Sequence, residues 1–497
     1  MSFNKVLVRT SDGITKQRPS LVLRRRPAVD ASSITRPSSL RLDIMHSYSI
    51  SSESPSKLQS ENALRIQRGP SDDTNWTTLY PELIYEILTY CFSDATLSIC
   101  TPGTFPWYLG HISRSWRSVF ISSPRFWDRF TFHALGVPEI ATIRRLERAL
   151  ALVQLCIERT KDHPFSFSFT AMMYAMKVPQ SLYATQILEI LVAHAERWRA
   201  ACFIADVEDL LNKGKGRFGQ LHTLQICIPL GVSYHHIASD LFEDAPNLTR
   251  VCATDYHRLC WSSVTVLHIQ LAPRSAHKFF AELEQMTSLE ELAVRGLSLH
   301  HDVANVPVEL PSLKTFSVDH YFPLSLIKAP SLERLYLANA LLGADTQIVE
   351  TFLRGVNHLN TLSFDVVHSV DVATIIDCTP ELDHLILAGQ ISSLDILRSL
   401  AYRTTARSLR KINVGVRTPN PTSSSSVSIM HQLTNMVESW EKRQFPKLRF
   451  LSVYVNNRGG EDISSAVGDL IRVGTDKGLE VDISSRPFPM VVQFSDW

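Results

Sequence analysis

Few residue groupings in this chain have the types and spacing that chemistry needs. Gly214-Lys215-Gly216-Arg217-Phe218-Gly219 has the glycine spacing of a dinucleotide-binding turn, whose backbone amides cradle a pyrophosphate at a helix start. That turn must follow a strand and open a helix. Here the helical segment VEDLLNK precedes it and a strand-like alternation follows, so a loop is expected. The Lys-Ser/Thr ending of a phosphate loop is missing too. His235-His236 and His300-His301-Asp302 offer metal-ligating atoms, but adjacent loop histidines point apart and no third or fourth ligand has suitable spacing. No GxSxG, HExxH or paired-carboxylate constellation occurs. The eight cysteines, at 91, 100, 156, 202, 227, 252, 260 and 378, form no CxxC pair and are too sparse for a disulfide scaffold, which fits a reducing compartment. The expectation is a protein that is not an enzyme, with no cofactor and no metal.

Size and charge bound the elements that could carry a functional surface. At 497 residues the chain exceeds one compact core, so several units or a repeat array are expected. Residues 1–70 hold twelve Lys/Arg and five Asp/Glu (net +7), leaving 38 Lys/Arg against 44 Asp/Glu (net −6) in residues 71–497. A mildly acidic body argues against nucleic acid as a partner, because phosphate binding needs a basic surface. No run of ~18 apolar residues predicts a membrane span. The amino terminus lacks the apolar core of a secretory signal, so the sequons at Asn75 and Asn247 read as chance matches. The Arg- and Ser-rich first 40 residues resemble a mitochondrial presequence, but Asp12, Asp30 and several prolines count against it. Cytoplasm and/or nucleus is the expected location; Arg24-Arg25-Arg26 reads more readily as part of a basic tail than as a nuclear signal. Residues 1–70, rich in Ser, Pro and Arg without apolar period, are expected to be disordered.

Order begins at Trp76. Pro81 sits at a first-turn helix position with Glu82 beside it, and Leu83, Ile84, Ile87, Leu88 and Cys91 make a wide apolar helical face. A loop from Ser93 to Phe105 follows, then a second helix with Leu109, Ile112, Trp116 and Val119 in register, stopped by Pro124. From Trp127 strands and helices alternate: WDRFTF, the Phe165-Phe167-Phe169 run and Cys202–Ile204 are separated by long helical stretches, which predicts parallel strands with helical crossovers.

The later half repeats. An apolar-x-x-apolar-x-apolar pattern starts at Leu221, Leu248, Val264, Leu289, Leu313, Leu332, Leu359, Leu382, Leu409 and Leu448. Most intervals lie near the ~20–29-residue period of leucine-rich repeats. Proline precedes several starts (246, 311, 330 and 380), marking the passage from helix to strand. A flat doubly wound sheet is the alternative. The Asn or Cys that such repeats place after the last apolar position is replaced by Leu297, Tyr321, Ala340, Val367 and Gln390, with only Asn456 fitting, so an irregular solenoid is expected. Strand alternation puts His268, Gln270, Arg295, Asp319, Tyr336, Asp365 and Tyr454 on its concave face, with Arg250, Glu291, Arg334, His384 and Lys411 one pleat away. Mixed charges with aromatics suit a protein ligand better than a polyanion.

The segment Leu79–Trp127 resembles the F-box: Leu79, Pro81, Glu82, Leu83, Ile87 and Leu88 match its first helix, and Trp116, Arg117, Pro124 and Trp127 its ending. The wording PWYLGHISRSWRSVFISSPRFW is similar to the expanded F-box families of mushroom-forming fungi, although Tyr80 and Ser113 depart from the usual residues. The resemblance implies a substrate-recognition subunit of an SCF-type cullin ubiquitin ligase, docked to a Skp-type adaptor and holding a target protein on its repeats. It assigns adaptor contacts to Leu79, Pro81, Leu83, Ile84, Ile87, Leu88, Ile112, Trp116 and Trp127. Substrate contacts would fall on His268, Gln270, Arg295, Asp319, Arg334, Tyr336, Asp365 and Tyr454. A repeat scaffold without ligase function is the alternative. The expected fold class is thus α/β: a disordered tail (1–70), a small all-helical F-box (71–135), strand-helix linker repeats (136–205) and a leucine-rich-repeat-like solenoid (206–497) with helices outside.

Overall fold

Each of the ten apolar triplets becomes a strand. The computed structural model describes residues 79–484 apart from 94, 105, 135–138, 172–177, 206–207, 228–239, 256, 297–306, 320–321, 339–345, 367–371, 390–407, 418–425, 441–446 and 457–463. The tail 1–70, the His235 and His300 pairs and most of the expected Asn positions lie outside the described residues. Before the triplets come β1 (Leu97–Ser98), β2 (Arg129–His133), β3 (Phe165–Ala171) and β4 (Trp198–Ala205). The triplets form β5 (Thr223–Cys227), β6 (Arg250–Thr254), β7 (Val266–Gln270), β8 (Glu291–Arg295), β10 (Thr315–Asp319), β12 (Arg334–Ala338), β13 (Thr361–Val366), β14 (His384–Gly389), β15 (Lys411–Arg417) and β16 (Phe450–Asn456). β17 (Glu480–Ser484) follows, while β9 (Val308–Glu309) and β11 (Ile327–Lys328) pair only with each other. The other fifteen form one parallel sheet in strict chain order, without the reversal that defines a doubly wound sheet.

The repeat has a hydrogen-bonding reason. Leu248, Leu313, Leu332 and Leu382 each donate a backbone N–H to the carbonyl three residues back, closing a turn with proline at its second position. Proline's fixed φ favours that position. The residue ahead of each strand then accepts two N–H groups from the next repeat: Thr249 O from Thr265 and Val266, Lys314 O from Glu333 and Arg334, Asn360 O from Asp383 and His384. Such nearest-neighbour coupling characterises a solenoid.

Alternation along the strands separates two faces. Leu267, Ile269, Leu292, Val294, Leu335 and Leu337 join the hydrophobic core. Into it pack α3 (Glu139–Thr160), α4 (Val178–Ala193), α5 (Glu208–Leu211), α6 (Pro273–Leu283), α7 (Thr346–Arg354), α8 (Val372–Asp377), α9 (Ser426–Ser439) and α10 (Ser464–Asp476). On α6, Ala276, Phe279, Phe280 and Leu283 make the inward stripe at helical spacing. The residues between, such as Cys252, Ala293 and Ile386, are buried but lie outside that core, on the opposite face of the sheet. It is called the open face below.

One expectation changes. Segment 71–135 is not all-helical, because Leu97–Ser98 pairs with Phe130–Thr131 and so starts the sheet. The sheet runs on through position 205, since Ala200–Ile204 pairs with Thr223–Cys227. Thr74–Trp497 forms one compact unit.

Candidate functional site

The helical segment ahead of the sheet is organised by aromatic rings. The first helix, α1 (Pro81–Cys91), starts at Pro81 with Glu82 in its first turn; α2 (Arg114–Ser122) is capped by Ser113, whose Oγ accepts the Trp116 amide at 3.3 Å. Tyr85 and Phe92 of this segment meet Phe126 at 5.5 and 5.1 Å between ring centres, and Phe120 meets Trp127 at 4.9 Å. Trp127 Nε1 donates to Phe120 O, and Trp107 Nε1 to Ser98 O, both at 2.9 Å. These contacts pull one side of α1 inward, burying Ile84 and Leu88 completely. The other side carries Tyr80, Leu83, Ile87 and Tyr90, at helical three-and-four spacing, with Tyr80, Leu83 and Tyr90 exposed and Ile87 half-buried.

The expected adaptor contacts therefore divide. Leu83, Ile112 and Pro81 are exposed and Leu79 and Ile87 half-buried, whereas Ile84, Leu88, Trp116 and Trp127 are buried. The last four hold the segment together and present no surface to a partner. Tyr80, Tyr90 and Tyr108 are the exposed apolar residues that motif reading missed, because it followed family positions instead of the helical stripe. Of ten large hydrophobic residues exposed among the described ones, five fall between Tyr80 and Ile112, a density that marks an interaction surface.

The open face has three rows fixed by register. The first runs Arg250, Val266, Glu291, Thr315, Arg334, Thr361, His384, Lys411, Phe450. The second runs Cys252, His268, Ala293, Ser317, Tyr336, Ser363, Ile386, Asn413, Ser452. Gln270 pairs with Arg295 one step further along, and Asp319, Asp365 and Tyr454 occupy that third row. The eight expected substrate contacts thus share one face. The side chains of Asp319 and Asp365 lie outside the described residues, and His268 is corrected: it is 1% exposed, its Nε2 2.7 Å from Glu291 Oε1. That bond holds the Glu291 carboxyl below its usual range.

No family model matches the chain. No curated protein matches it either. Among solved structures, a crystal structure of a Bacteroides fragilis protein from a structural genomics programme covers 70% of this chain and 86% of its own, at 11% identity and a TM-score of 0.29.

Other groupings fall short of a catalytic centre. Cys252, His268 and Glu291 follow one another on successive strands like a nucleophile, base and orienting acid. Yet Cys252 is fully buried, and its contact with Cys227 together with burial raises its thiol pKa, which disfavours a nucleophilic thiolate there. The same contact, with Gln225 Nε2 at 3.6 Å, lowers that of Cys227. A cleft of about 520 Å³ lies between the carboxy ends of α3 and α4, lined by Glu158, Lys161, Asp162, His194, Glu196 and Arg197 among others. Two of its charges are engaged in scaffolding: Arg197 donates to Thr160 Oγ1 (2.5 Å) and His163 O (3.0 Å), and Glu196 pairs with Arg217. The Gly214–Gly219 loop follows a short 3-10 turn and leads into β5, the reverse of a dinucleotide site. Among the described residues no group of three or more His, Cys, Asp and Glu could hold a metal, and no helix is long and apolar enough to cross a membrane.

His257, between β6 and β7, is 5% exposed with neither ring nitrogen hydrogen-bonded among the described residues; burial lowers its pKa to about 4. The unfolded chain takes up this proton near pH 6.5, before the folded chain does. Stability from this group is therefore complete above about pH 6.5 and falls as pH drops toward 4, by on the order of 3 kcal/mol. Urea unfolding at pH 7 and 4.5 should show a smaller loss for His257→Phe than for the parent. Parallel losses in the two proteins would reject the assignment.

Proposed function

We propose that this protein is a substrate-recognition adaptor of an SCF-type cullin ubiquitin ligase. The segment 79–127 engages a Skp-type adaptor, and the open face of the sheet receives a target protein. The observation that carries the reading is the apolar stripe Tyr80, Leu83, Ile87 and Tyr90, three of them exposed and Ile87 half-buried, on a helix that also bears the F-box-like residues. A few apolar anchors of this kind dominate protein interfaces, at roughly 2–4 kcal/mol each on truncation. The ligand is brought near a ubiquitin-charged enzyme by effective concentration, which requires no catalytic group in this chain. Cytoplasm and nucleus both suit that role.

The test is co-elution of the full chain with a purified Skp-type adaptor and cullin. The full chain is required because β1, inside the docking segment, is a strand of the main sheet. Leu83→Asp with Ile112→Asp should abolish co-elution while leaving the fold intact, since both residues are about half exposed. Unchanged co-elution in the double variant would remove the docking assignment. Failure of the parent chain to co-elute would favour a repeat scaffold for protein–protein interaction without ligase function.

A further inference from the structure

Cys202, Cys227 and Cys252 are free thiols on the neighbouring strands β4, β5 and β6, and none of them joins the hydrophobic core, so all three stand on the open face. Register fixes their spacing. Cys202 pairs with Gln225 and Gln225 with Cys252 along the second row, while Cys227 stands two residues past Gln225 on the middle strand. Cys227 and Cys252 are thus offset by one pleat, with their thiols in hydrogen-bonding contact. Gln225 Nε2 donates to Cys227 Sγ at 3.6 Å. Cys202 is bonded to Ser168 instead.

Magnitudes decide what the pair can do. A strand spacing of about 4.8 Å and a rise of about 3.3 Å per residue put Cα atoms so offset about 8 Å apart. A disulfide needs them within about 7 Å, so this pair closes one only by moving backbone that ladders on both sides hold. An ion between the sulfurs needs no such movement, because two collinear thiolate–metal bonds of about 2.3 Å hold them about 4.6 Å apart. Zinc takes four ligands, and no group of three or more His, Cys, Asp and Glu among the described residues could hold a metal. A soft monovalent d10 ion is satisfied by two thiolates, and their softness selects copper(I). Cys252, 0% exposed, withholds the water that harder ions keep, and half-buried Cys227 is the side from which an ion enters. Arg295, in the third row two strands on from Cys252, supplies charge that offsets a buried anion.

We propose that Cys227 and Cys252 bind one copper(I) ion as a two-coordinate bis-thiolate, a site independent of the ligase reading. Each thiol gives its proton to solvent as its sulfur binds, and copper keeps its oxidation state, so no oxidant or reductant takes part. The full chain is titrated anaerobically with a copper(I) acetonitrile complex against the chromophoric chelator bicinchoninate. One ion per chain should resist the chelator. Cys227→Ser and Cys252→Ala should each lower the chelator concentration for half-displacement at least tenfold, while Cys378→Ser, in another repeat, should stay within twofold. Thermal melting of each variant separates lost ligation from lost fold, and half-buried Cys227 is the position where substitution should melt normally. No retained ion in the parent, or unchanged retention in a normally melting Cys227→Ser protein, overturns the proposal. So does a two-dalton mass loss mapped to a Cys227–Cys252 disulfide under hydrogen peroxide, because it places the sulfurs closer than the ion requires.

Discussion

Trp198→Ala should destabilise the protein by about 3–5 kcal/mol, the range for deleting a fully buried large aromatic. Trp198 is 0% exposed at the start of β4, where the helix-rich first part of the sheet meets the repeats. Its ring lies 5.0 Å from Phe167, 5.6 Å from Phe203 and 5.4 Å from Phe218, and Phe218 continues to Phe242 at 4.8 Å. Its Nε1 donates to Leu191 O at 3.0 Å, a carbonyl in the last turn of α4 that also accepts the His194 N–H at 3.0 Å. Truncation thus opens a cavity, breaks the ring pairs with Phe167, Phe203 and Phe218 and removes the hydrogen bond to Leu191 O. Trp198→Phe keeps most of the packing and loses the hydrogen bond, at about 1 kcal/mol. In a solenoid each repeat is stabilised by its neighbours, so the Ala variant should also split one urea transition into two. Denaturation followed by tryptophan fluorescence and far-UV dichroism would show it; a single coincident transition shifted by under 1 kcal/mol would contradict the coupling.

What was legible in the sequence follows from which interactions repeat. All ten triplets became strands because a strand between identical neighbours must present the same inward pair, as Leu335 and Leu337 do beside Leu362. β17 escaped because Gly478, at φ +77°, stands where the first apolar residue should be; Leu479 is buried in its place. β1 escaped because two residues inside a loop carry no period. On the open face, alternation alone placed His268, Tyr336 and Tyr454, but it could not show that Glu291 captures His268 or that Ser317 Oγ and Ser363 Oγ lack hydrogen-bond partners among the described residues. Those facts depend on the side chains of neighbouring strands, more than ten positions away in the chain. The α1 surface was half legible. A helix with apolar residues at 83, 84, 87, 88 and 91 can turn either shoulder inward, and the choice is made by Phe120, Phe126 and Trp127, some thirty or more positions later.

That choice yields a double dissociation between neighbouring residues. Ile84→Ala removes a side chain that is 0% exposed and should cost about 2–5 kcal/mol of stability. Leu83, one position away, is 50% exposed, and Leu83→Ala should stay within about 0.5 kcal/mol of the parent. On adaptor affinity the order reverses. Loss of an anchor worth about 2 kcal/mol or more weakens binding roughly 30-fold, so Leu83→Ala should lose docking while melting normally. Ile84→Ala, measured well below its melting temperature, should bind within a few-fold of the parent, because its side chain touches the protein's own core. Thermal unfolding and titration calorimetry on both variants separate the two axes. Equal melting losses would mean that α1 does not bury one shoulder and expose the other; equal affinities would mean that the exposed stripe is not where the adaptor sits.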